Sequence, residues 1–340
     1  MKIKGLIILG LVTVFSLSAC SDNVFSKLFG KNSSSSADQN NNSLRYSLDF
    51  SEGTYTYGIF PQSQAERDVL EEAYENNKEN KIKDISNYES KDLDIEMLNY
   101  YLTYTEDKGG MYKGYSDYKL YKINNNYYYG MAPEYYWLTH WSEIEYKKEC
   151  KMFKIEPIKW NVLVDRENGE VDLISELSLL PALYKNENII PVSQEEIFAL
   201  TDYLSSDIRN ALNNAFLRFA FQKDSKDLIN AERQTDDGTN RVFHDPVTLP
   251  TVEEIGYHGT HLLSYFLAVD FFDYKDNVYD MSDIKSATSF TRTPVVKYDE
   301  FTGYIFGYTS SNQNGNYRQE LTVSTVSAIS PVIRVKGGNA

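Results

Sequence analysis

The stretch FKIEPIKWNVLVDRENGEVDLIS, residues Phe153–Ser175, predicts the β-hairpin around which the fold is organised. Apolar residues alternate along Ile158–Val164, and only Leu163 interrupts the pattern. Alternation with a period of two is typical of a strand that buries one face. Within that strand, Trp160 is expected to anchor the core. The alternative is an exposed tryptophan that stacks on a ligand.

The ends of this hairpin carry residues that suit a strand start and a turn. Pro157 stands early in the first strand, where its missing N–H disturbs the ladder least. The loop over residues 165–169 closes with Asn168-Gly169, a pair that readily adopts positive φ. Val171–Ile174 then returns as the second strand.

The segments around the hairpin mix helix and strand patterns. Capping boxes at Ser193–Glu196 and Thr251–Glu254 and a serine cap at Ser205–Asp207 each begin a helix. The helix after that serine cap has an apolar stripe made of Ile208, Ala211, Leu212, Ala215, Phe216, Phe219 and Ala220. Strands are predicted at Tyr55–Phe60, where Pro61 ends the strand, at Val295–Ile305 and at Leu321–Val335. Helices are predicted at Gln64–Asn76 and Lys226–Ala231, and a loop is predicted at Gly307–Asn316. The prediction is an α+β fold, a single mixed domain with short antiparallel sheets and a few helices.

The N-terminus has the pattern of an export sequence. Lys2 and Lys4 precede Gly5–Leu17, an uninterrupted segment of apolar and small residues. As a helix this segment spans only about 20 Å, which is shorter than the ~30 Å hydrocarbon core of a bilayer. It therefore predicts a signal peptide rather than a membrane span.

The sequence Leu17-Ser18-Ala19-Cys20 resembles the lipobox of bacterial lipoproteins. This resemblance implies cleavage before Cys20 and a diacylglycerol on its sulfur. Each buried methylene contributes about 0.8 kcal/mol, so two or more acyl chains anchor stably. The protein would lie at the cell membrane or outer membrane, facing outside the cytoplasm. The alternative is an ordinary signal peptide followed by an incidental cysteine.

Composition divides the chain into four parts. Residues 1–19 are the predicted signal peptide, and residues 20–49 are a lipidated, flexible and disordered tether, too polar to bury a core. Residues 50–336 are the predicted domain, with an aromatic insertion over about 99–146, and residues 337–340 are a tail. The 340-residue chain has 28 tyrosines and a net charge of −15. This acidity disfavours nucleic acid as a partner, since phosphates need a basic surface.

Four segments of the chain resemble an uncharacterised bacterial domain family known as DUF6273. They are Tyr57–Gln62, Pro157–Trp160, Ser206–Phe221 and Ser330–Arg334. The resemblance implies one domain over about residues 50–336. The family often has Trp-Trp-Leu-Arg-Ser-Pro before its last strands. By order, Tyr304–Ser310 takes that place here, without the tryptophans or the arginine.

A second similarity concerns the stretch Leu-Pro-Thr-Val-Glu-Glu at Leu249–Glu254. It is similar to a stretch of sulfatase-modifying-factor proteins and implies a C-type-lectin-like fold. The oxidase chemistry of that family uses a cysteine pair. If Cys20 carries lipid, only Cys150 remains, so neither this chemistry nor an intramolecular disulfide is expected. Cys150 itself is interpreted as a small buried hydrophobe.

Aromatic residues supply a candidate binding surface for sugars. Tyrosine and tryptophan offer flat apolar faces with a polar edge. The candidate residues are Tyr128, Tyr136, Trp137, Trp141, Tyr304, Phe306, Tyr308, Asn312 and Tyr317. The alternative is that these aromatic residues cover a sheet.

No cofactor is predicted, and metal binding stays an alternative at two places. His258 and His261 could share zinc on a helix, but Gly256 and Gly259 favour a loop. Aspartates within Asp270–Asp283 could supply calcium ligands, although EF-hand spacing is missing and a solvated acidic loop is the simpler interpretation. The sequence has no phosphate loop, dinucleotide fingerprint or nucleophile elbow.

These observations favour a binding role without catalysis. The leading hypothesis is a lipid-anchored envelope protein whose domain binds a glycan, a peptide or a partner protein. A secreted hydrolase acting on cell-wall or host glycan is the alternative, because its carboxylate pair is recognised only in space. A solute-binding lipoprotein ranks third, since the alternating βα pattern of two lobes is not visible. Arg209 and Arg334 are interpreted as structural partners of carboxylates or carbonyls.

The lipid anchor makes a direct prediction. Cys20→Ser removes the sulfur that the lipid would modify, so the variant should leave the membrane fraction. Membrane fractionation with immunodetection measures this. Cys150→Ser is the matched control and should stay with the membrane. A Cys20→Ser protein that also stays there would contradict the anchor.

Overall fold

The computed structural model describes residues 48–51, 54–78, 117–124, 126–132, 151–185, 193–221, 227–255, 262–263, 289–295, 304–311, 315–323 and 326–337. Asn40–Lys336 form one compact unit. Met1–Gln39 and Gly337–Ala340 form a second unit, of which only Gly337 is described. The predicted signal peptide and Cys20 therefore lie outside the described residues.

Strands make up most of the described fold. They are β1 (Asp49–Ser51), β2 (Thr54–Gln64), β3 (Asp117–Ile123), β4 (Asn126–Ala132), β5 (Lys151–Asp165), β6 (Glu170–Ser175), β7 (Leu177–Ser178), β8 (Leu180–Leu183), β9 (Ala231–Gln234), β10 (Val242–Asp245), β11 (Val247–Thr248), β12 (Leu262–Leu263), β13 (Ser289–Val295), β14 (Tyr304–Ser311), β15 (Gly315–Thr322), β16 (Val326–Ile329) and β17 (Val332–Lys336). The helices are α1 (Arg67–Lys78), α2 (Gln194–Thr201), α3 (Asp207–Ala211), α4 (Leu217–Phe221) and α5 (Val252–Ile255), with a π-helical turn at Leu212–Phe216 between α3 and α4 and a 3₁₀ turn at Tyr203–Ser205. The predicted α+β class is confirmed. In the described part of the chain, no helix is long and apolar enough to cross a membrane.

Two sheets organise the compact unit. The first has eight strands in the order β1-β2-β5-β6-β17-β11, with β4 also paired to β5 and β3 paired to β4. The second has five strands in the order β15-β14-β13-β16-β8. Among the described strands, β13 with β16 and β7 with β12 pair in parallel, and the other pairs are antiparallel.

The predicted hairpin is confirmed as β5 and β6, at the centre of the first sheet. Its antiparallel pairing runs from Trp160 opposite Ser175 to Asp165 opposite Val171. Gly169 takes a φ of +78° in the connecting turn, as the Asn-Gly pair predicts.

Strand β5 buries Trp160 in the main core and Leu163 in a separate cluster on the other face of the sheet. The sequence pattern places Val162 on the buried face and treats Leu163 as the exception. The structure shows the reverse, with Val162 41% exposed and Leu163 6% exposed. Val162 precedes the register shift and pairs with the main-core residue Leu173, so it lies on the main-core face but stays exposed. Leu163 packs with Ile174, Ile255 and Val332 on the other face, so both faces of the sheet bury apolar residues here.

Two prolines also stand inside strands rather than near their ends. β2 continues through Pro61 to Gln64, and Pro157 lies in the middle of β5, opposite Ile59. Both prolines stand at positions where the β2–β5 register shifts. The ladder is already interrupted there, so the missing N–H of proline is tolerated.

Other predicted boundaries change as well. The predicted loop Gly307–Asn316 falls on the hairpin of β14 and β15. The predicted helix Lys226–Ala231 instead contains a bridge from Leu228 to Val335, because Leu228 packs against the main core. The helix predicted at Gln64–Asn76 is present as α1, with later bounds.

The main hydrophobic core lies between the first sheet and the α3–α4 segment. Trp160 is buried, which confirms its predicted role, and its indole Nε1 donates to the Tyr57 carbonyl at 2.8 Å. The Phe221 ring packs against both, with centroid distances of 4.9 Å to Tyr57 and 6.1 Å to Trp160. Phe60 contacts Phe216 at 5.5 Å. Tilted aromatic contacts of this kind add to the stabilisation from burial.

The α3–α4 segment buries every position of its predicted apolar stripe. Its predicted cap is confirmed, because Ser206 Oγ accepts from Arg209 N at 3.2 Å. Further along, the Asn213 side chain donates to Val247 O at 2.9 Å and accepts from Val247 N at 3.2 Å. Val247 belongs to β11, so Asn213 joins the helical segment to the end of the first sheet.

The two predicted capping boxes also begin helices. At α2, Glu196 N donates to Ser193 Oγ at 3.3 Å. At α5, Glu254 N donates to Thr251 Oγ1 at 3.0 Å, and Thr251 N donates back to the Glu254 carboxylate at 2.6 Å. The reciprocal pair satisfies backbone donors that the helix itself cannot use.

A second apolar cluster joins α1 to strands β3, β4 and β5. Its buried residues are Ala65, Val69, Ala73, Tyr74, Tyr121, Ile123, Tyr128 and Met152. Tyr128 and Met152 alternate along their strands with residues of the main core. The second cluster therefore lies on the other face of the sheet.

Two chain segments pass side by side between the two sheets. One runs from β6 through β7 to β8, and the other from β16 to β17. Leu179 N donates to Ile329 O at 2.8 Å across them. The buried Ser178 hydroxyl bonds to those of Ser289 at 2.9 Å and Ser330 at 2.8 Å. This small polar network fixes where the two sheets meet.

Gly58 marks the closest approach of β2 to α4. It takes a φ of +71°, and a Cβ added to it would lie 2.8 Å from the Ala220 carbonyl oxygen and 2.6 Å from the Phe221 ring. Gly169 has a similar φ of +78° but open space around it. At position 58, both the positive φ and the close neighbours favour glycine over any residue with a Cβ. At position 169, only the positive φ does.

We expect Gly58→Ala to lower the free energy of unfolding by about 2–5 kcal/mol. The strain of a left-handed residue contributes about 1–2 kcal/mol, and overpacking contributes the rest. Gly169→Ala is the matched control and should lose only the first contribution. Urea unfolding followed by tryptophan fluorescence measures both variants. Equal losses would contradict the steric argument.

Candidate functional site

A cleft of about 470 Å³ lies beside the pairing of β2 and β5. Its lining residues are Thr56, Gln62, Ser63, Glu156, Pro157, Lys159, Glu176 and Leu177. Along β5, Pro157 and Lys159 are exposed, whereas Ile158 and Trp160 belong to the main core. Because side chains alternate along a strand, the cleft opens on the face of the sheet away from that core.

The pairing of β5 explains why there is a gap at this place. Lys154 pairs with both β2 and β4, and Trp160 pairs with both β2 and β6. A strand has two edges, so β4 and β6 share the edge away from β2. Residues 155–159 lie between them, and none of the described strands pairs with that stretch of the edge. Glu176 N closes one end of the gap by donating to Lys159 O at 2.8 Å.

Strand β2 contributes to the cleft because its register against β5 shifts twice. The shifts lie between Thr56 and Ile59 and between Pro61 and Ser63. Bulged strands re-aim their side chains and are common next to functional sites. Here the irregular strand brings Thr56, Gln62 and Ser63 to the lining.

Hydrogen bonds within the chain fix the polar lining. The Glu156 carboxylate accepts from Ser63 N at 3.3 Å and from the Ser63 hydroxyl, and Lys154 Nζ lies 3.8 Å from its other oxygen. Gln62 Nε2 donates to Glu156 O at 3.0 Å and to Pro157 O at 3.2 Å. Both partners of Nε2 are carbonyl oxygens, so the amide nitrogen must face them. Gln62 Oε1 therefore stays available as an acceptor.

The described part of the lining carries two carboxylates, Glu156 and Glu176, and one ammonium, Lys159, so the net charge of these residues is negative. Glu176 and Lys159 are exposed, whereas Glu156 is half-buried. This set can exchange hydrogen bonds with a neutral or cationic polar ligand. Two carboxylates in one cleft are also the minimum that glycoside hydrolysis requires. Among the described lining residues there is no aromatic side chain, and Pro157 and Leu177 add apolar surface beside the polar groups.

The residues of the predicted aromatic surface lie in different environments, and some lie outside the described residues. Tyr128 is 5% exposed and packs in the second cluster against α1, so it is a core residue and not a stacking surface. Tyr304 is half-buried in β14. Phe306, Tyr308 and Tyr317 belong to β14 and β15. The candidates that lie outside the described residues are Tyr136, Trp137, Trp141 and Asn312.

Metal ligands were predicted only as alternatives. Among the residues that the structure describes, no group of three or more His, Cys, Asp or Glu side chains could hold a metal ion. His258, His261 and the aspartates of Asp270–Asp283 lie outside those residues, as does Cys150. The zinc and calcium alternatives are therefore not placed by the structure.

A buried ion cluster lies further along β6 from the cleft. Asp172 is fully buried and accepts five hydrogen bonds, from Arg166 at 2.8 and 2.5 Å, from Arg334 at 2.6 and 3.0 Å and from Arg233 at 3.1 Å. Arg334 stands directly opposite Asp172 in the pairing of β17 with β6. Burial raises the pKa of Asp172, but the hydrogen bonds and charges of the arginines outweigh it and hold the pKa below 3.8.

The prediction that Arg209 and Arg334 pair with carboxylates is confirmed. Arg209 Nε and Nη2 donate to the two oxygens of Asp245 at 2.7 and 2.9 Å, and Nη1 donates to Leu204 O at 2.8 Å. Hydrogen bonding to Asp245 raises the pKa of Arg209. A two-point pair fixes orientation as well as distance, so it holds α3 against β10.

The sequence prediction missed the cleft and two buried arginines, Arg233 and Arg292. Neither arginine belongs to a motif that the sequence analysis identified. No spacing in the sequence marks the cleft, because its residues come from three separate parts of the chain.

Comparisons with protein-family models, with curated proteins and with solved structures each find no match for this chain. The lipobox, DUF6273 and lectin-like resemblances accordingly stay predictions. The geometry of the cleft and of the ion cluster is the basis for the functional proposals that follow.

We expect Asp172→Asn to lower the free energy of unfolding at pH 7 by about 3–5 kcal/mol, because buried arginines lose their carboxylate. The stability of Asp172→Asn should also depend on acidic pH less steeply than that of the wild type. The folded-state pKa of Asp172 lies below the ordinary value of 3.8, so its contribution is complete above that pH and is lost as pH falls through the folded-state value. As the pH falls below about 4, the variant should therefore lose less stability than the wild type.

Urea unfolding at pH 7 and at pH 3 measures both effects. Glu167→Gln, in the exposed turn between β5 and β6, is the matched control and should behave as the wild type. An Asp172→Asn protein as stable as this control would contradict the role of the cluster.

Proposed function

We propose that this chain is a lipid-anchored protein of the bacterial cell envelope whose domain binds a glycan, a peptide or a partner protein. The binding site is the cleft beside Glu156. The observation that carries this proposal is the preorganised polar lining, in which Gln62, Ser63 and Glu156 are held by hydrogen bonds within the chain. A lining that is already ordered loses little side-chain freedom when a ligand binds.

The charges of the cleft favour a neutral or cationic ligand rich in hydroxyl or amine groups. The carboxylates of Glu156 and Glu176 and the amide oxygen of Gln62 are acceptors, and Lys159 and Thr56 are donors. The chain as a whole has a net charge of −15, which repels polyanions. Nucleic acid is therefore not part of the proposal.

The anchor is proposed from the N-terminal sequence. Lipid on Cys20 would hold the protein at the cell membrane or outer membrane, and the polar segment 20–49 would separate the domain from the bilayer. This arrangement presents the cleft to molecules outside the cytoplasm, where envelope glycans and surface proteins are found.

We also propose that residues 50–336 are a DUF6273-like domain with a lectin-like version of the α+β fold. Three residues of the resembling segments support this. Trp160 anchors the main core, Ser206 caps α3, and Arg334 pairs with the buried Asp172. Residues with such structural roles are the ones that a shared fold would need.

A second candidate function is hydrolysis of a glycan. The observation that favours it is the presence of Glu156 and Glu176 in the lining of one cleft. One carboxyl group would act as general acid, and the other as base or nucleophile, depending on their separation. A solute-binding lipoprotein ranks third, because no feature of the cleft favours a transported solute over other polar ligands.

Arrays of glycans, peptides and envelope proteins, probed with residues 45–340, test the binding role. For a ligand found in this way, Glu176→Gln and Thr56→Val should each weaken affinity about tenfold or more, roughly 1.4 kcal/mol. Each change removes one lining group without breaking the hydrogen bonds of Glu156. Glu167→Gln is the matched control and should bind as the wild type.

The outcomes of these measurements separate the two functions. Binding without turnover, weakened by the cleft variants, supports the binding role. Turnover of a glycan panel that falls at least about 100-fold in both Glu156→Gln and Glu176→Gln supports the hydrolase. If no array yields a ligand, or if the ligand binds both cleft variants with the affinity of the wild type, the proposed site is contradicted.

A further inference from the structure

Two buried arginines near Asp172 have hydrogen-bond donors without an acceptor. The Arg233 side chain, in β9, is 2% exposed and donates through Nη2 to Asp172 at 3.1 Å. Its Nε and Nη1 have no acceptor in the part of the chain that the structure describes. The Arg292 side chain, in β13, is 5% exposed, and its Nε is unpaired in the same way.

These donors cannot be neutralised by losing a proton, because a guanidinium stays charged in proteins. Burying a charged donor without a partner is unfavourable, and buried polar groups in folded proteins almost always have one. Two such arginines in one region therefore point to an acceptor that the chain does not supply.

The carboxylates around them are already occupied. Asp172 accepts five hydrogen bonds, although a carboxylate offers only about four lone-pair sites. Glu254 accepts from Arg292 Nη2 at 3.1 Å and from a backbone N–H at 2.6 Å. Asp236, the next acid in the region, accepts from the hydroxyl of Thr293. A fourth carboxylate, Glu170, lies 3.7 Å from Arg334 Nη1, and none of the four accepts a hydrogen bond from the unpaired nitrogens.

Arg233, Arg292 and Arg334 come from three strands that meet in this region. Ile229 N, just before β9, donates to Arg334 O at 2.9 Å, and Arg292 Nη1 donates to the backbone that follows β11. Burial lowers the pKa of Arg233, Asp172 raises it, and the positive charges of Arg292 and Arg334 lower it further. Arg233 and Arg334 thus share the fully buried Asp172, whereas Arg292 pairs with Glu254 and its positive charge acts on Arg233.

We propose that Arg233 and Arg292 form a binding site for one chloride ion, which accepts from their unpaired N–H groups. The unpaired nitrogens are shielded from solvent. A phosphate or sulfate would bring several further oxygens into that environment, and each would need its own donor. A halide is a single atom and accepts N–H bonds from several directions.

Thermal unfolding of the full chain in detergent tests the site at constant ionic strength, with sodium chloride exchanged for sodium gluconate. An ion that binds only the folded state raises the melting temperature with a saturable dependence on its concentration. We expect this for chloride and for bromide. Chloride binding should also broaden the ³⁵Cl NMR line, and bromide should reverse the broadening by competition.

Two conservative variants locate the site. Both variants keep a positive charge. Arg233→Lys removes the unpaired Nε and Nη1 donors and Arg292→Lys removes the unpaired Nε donor, so each should weaken chloride binding at least tenfold. Arg67→Lys, at a side chain that is 83% exposed, is the matched control and should bind as the wild type. If Arg233→Lys does not fold, Arg292→Lys and the wild-type NMR titration decide the question.

Three results would overturn the chloride site. A wild type without saturable chloride dependence or line broadening would indicate that water, or nothing, occupies the region. Stabilisation by sulfate or phosphate but not by chloride would assign a different ligand. Lysine variants that bind chloride as the wild type does would place the ion elsewhere on the protein.

Discussion

The buried carboxylate of Asp172 joins parts of the chain that are far apart in sequence. It accepts hydrogen bonds from the β5–β6 turn through Arg166, from β9 through Arg233 and from β17 through Arg334, 162 residues away. An isolated carboxylate in this interior would be strongly unfavourable, so the arginines must be in place when the sheet closes. The central strands β6 and β17 and strand β9 are therefore tied to one another through this carboxylate.

The cleft depends on the same strand. Glu176, which lines it, follows β6 directly, and Asp172 holds β6 in register with β17 on the other side. Beyond Glu176 the chain enters the crossing that links the two sheets, where the hydroxyl of Ser178 is fixed by two other serines. The segment from Asp172 to Ser178, which contains Glu176 and lies along the cleft, is thus held at both ends by buried polar contacts. A site supported in this way keeps its geometry without help from a ligand.

The sequence predicts those features that a local pattern determines. Trp160 and the cap at Ser206 follow from short-range periodicity and hydrogen-bonding rules, and both are confirmed. The prediction for Val162 and Leu163 fails because both faces of the sheet bury apolar residues here, whereas a period-two pattern assumes one buried face. Tyr128 fails because tyrosine suits a buried sheet as well as a binding surface, and only the position of α1 decides between them. The cleft beside Glu156 could not be predicted, since the gap arises from two strands that share one edge of β5.

The side chain of Asn213 has a consequence for how molecules of this protein meet one another. β11 is the last strand of the first sheet in the described order, so the outward N–H and C=O of Val247 would otherwise be open to pairing with another chain. Asn213 occupies both with its own amide, in the way that a neighbouring peptide group would. A helical residue thereby ends the sheet at this position, and edge-to-edge association between copies is blocked by a side chain from within the same molecule.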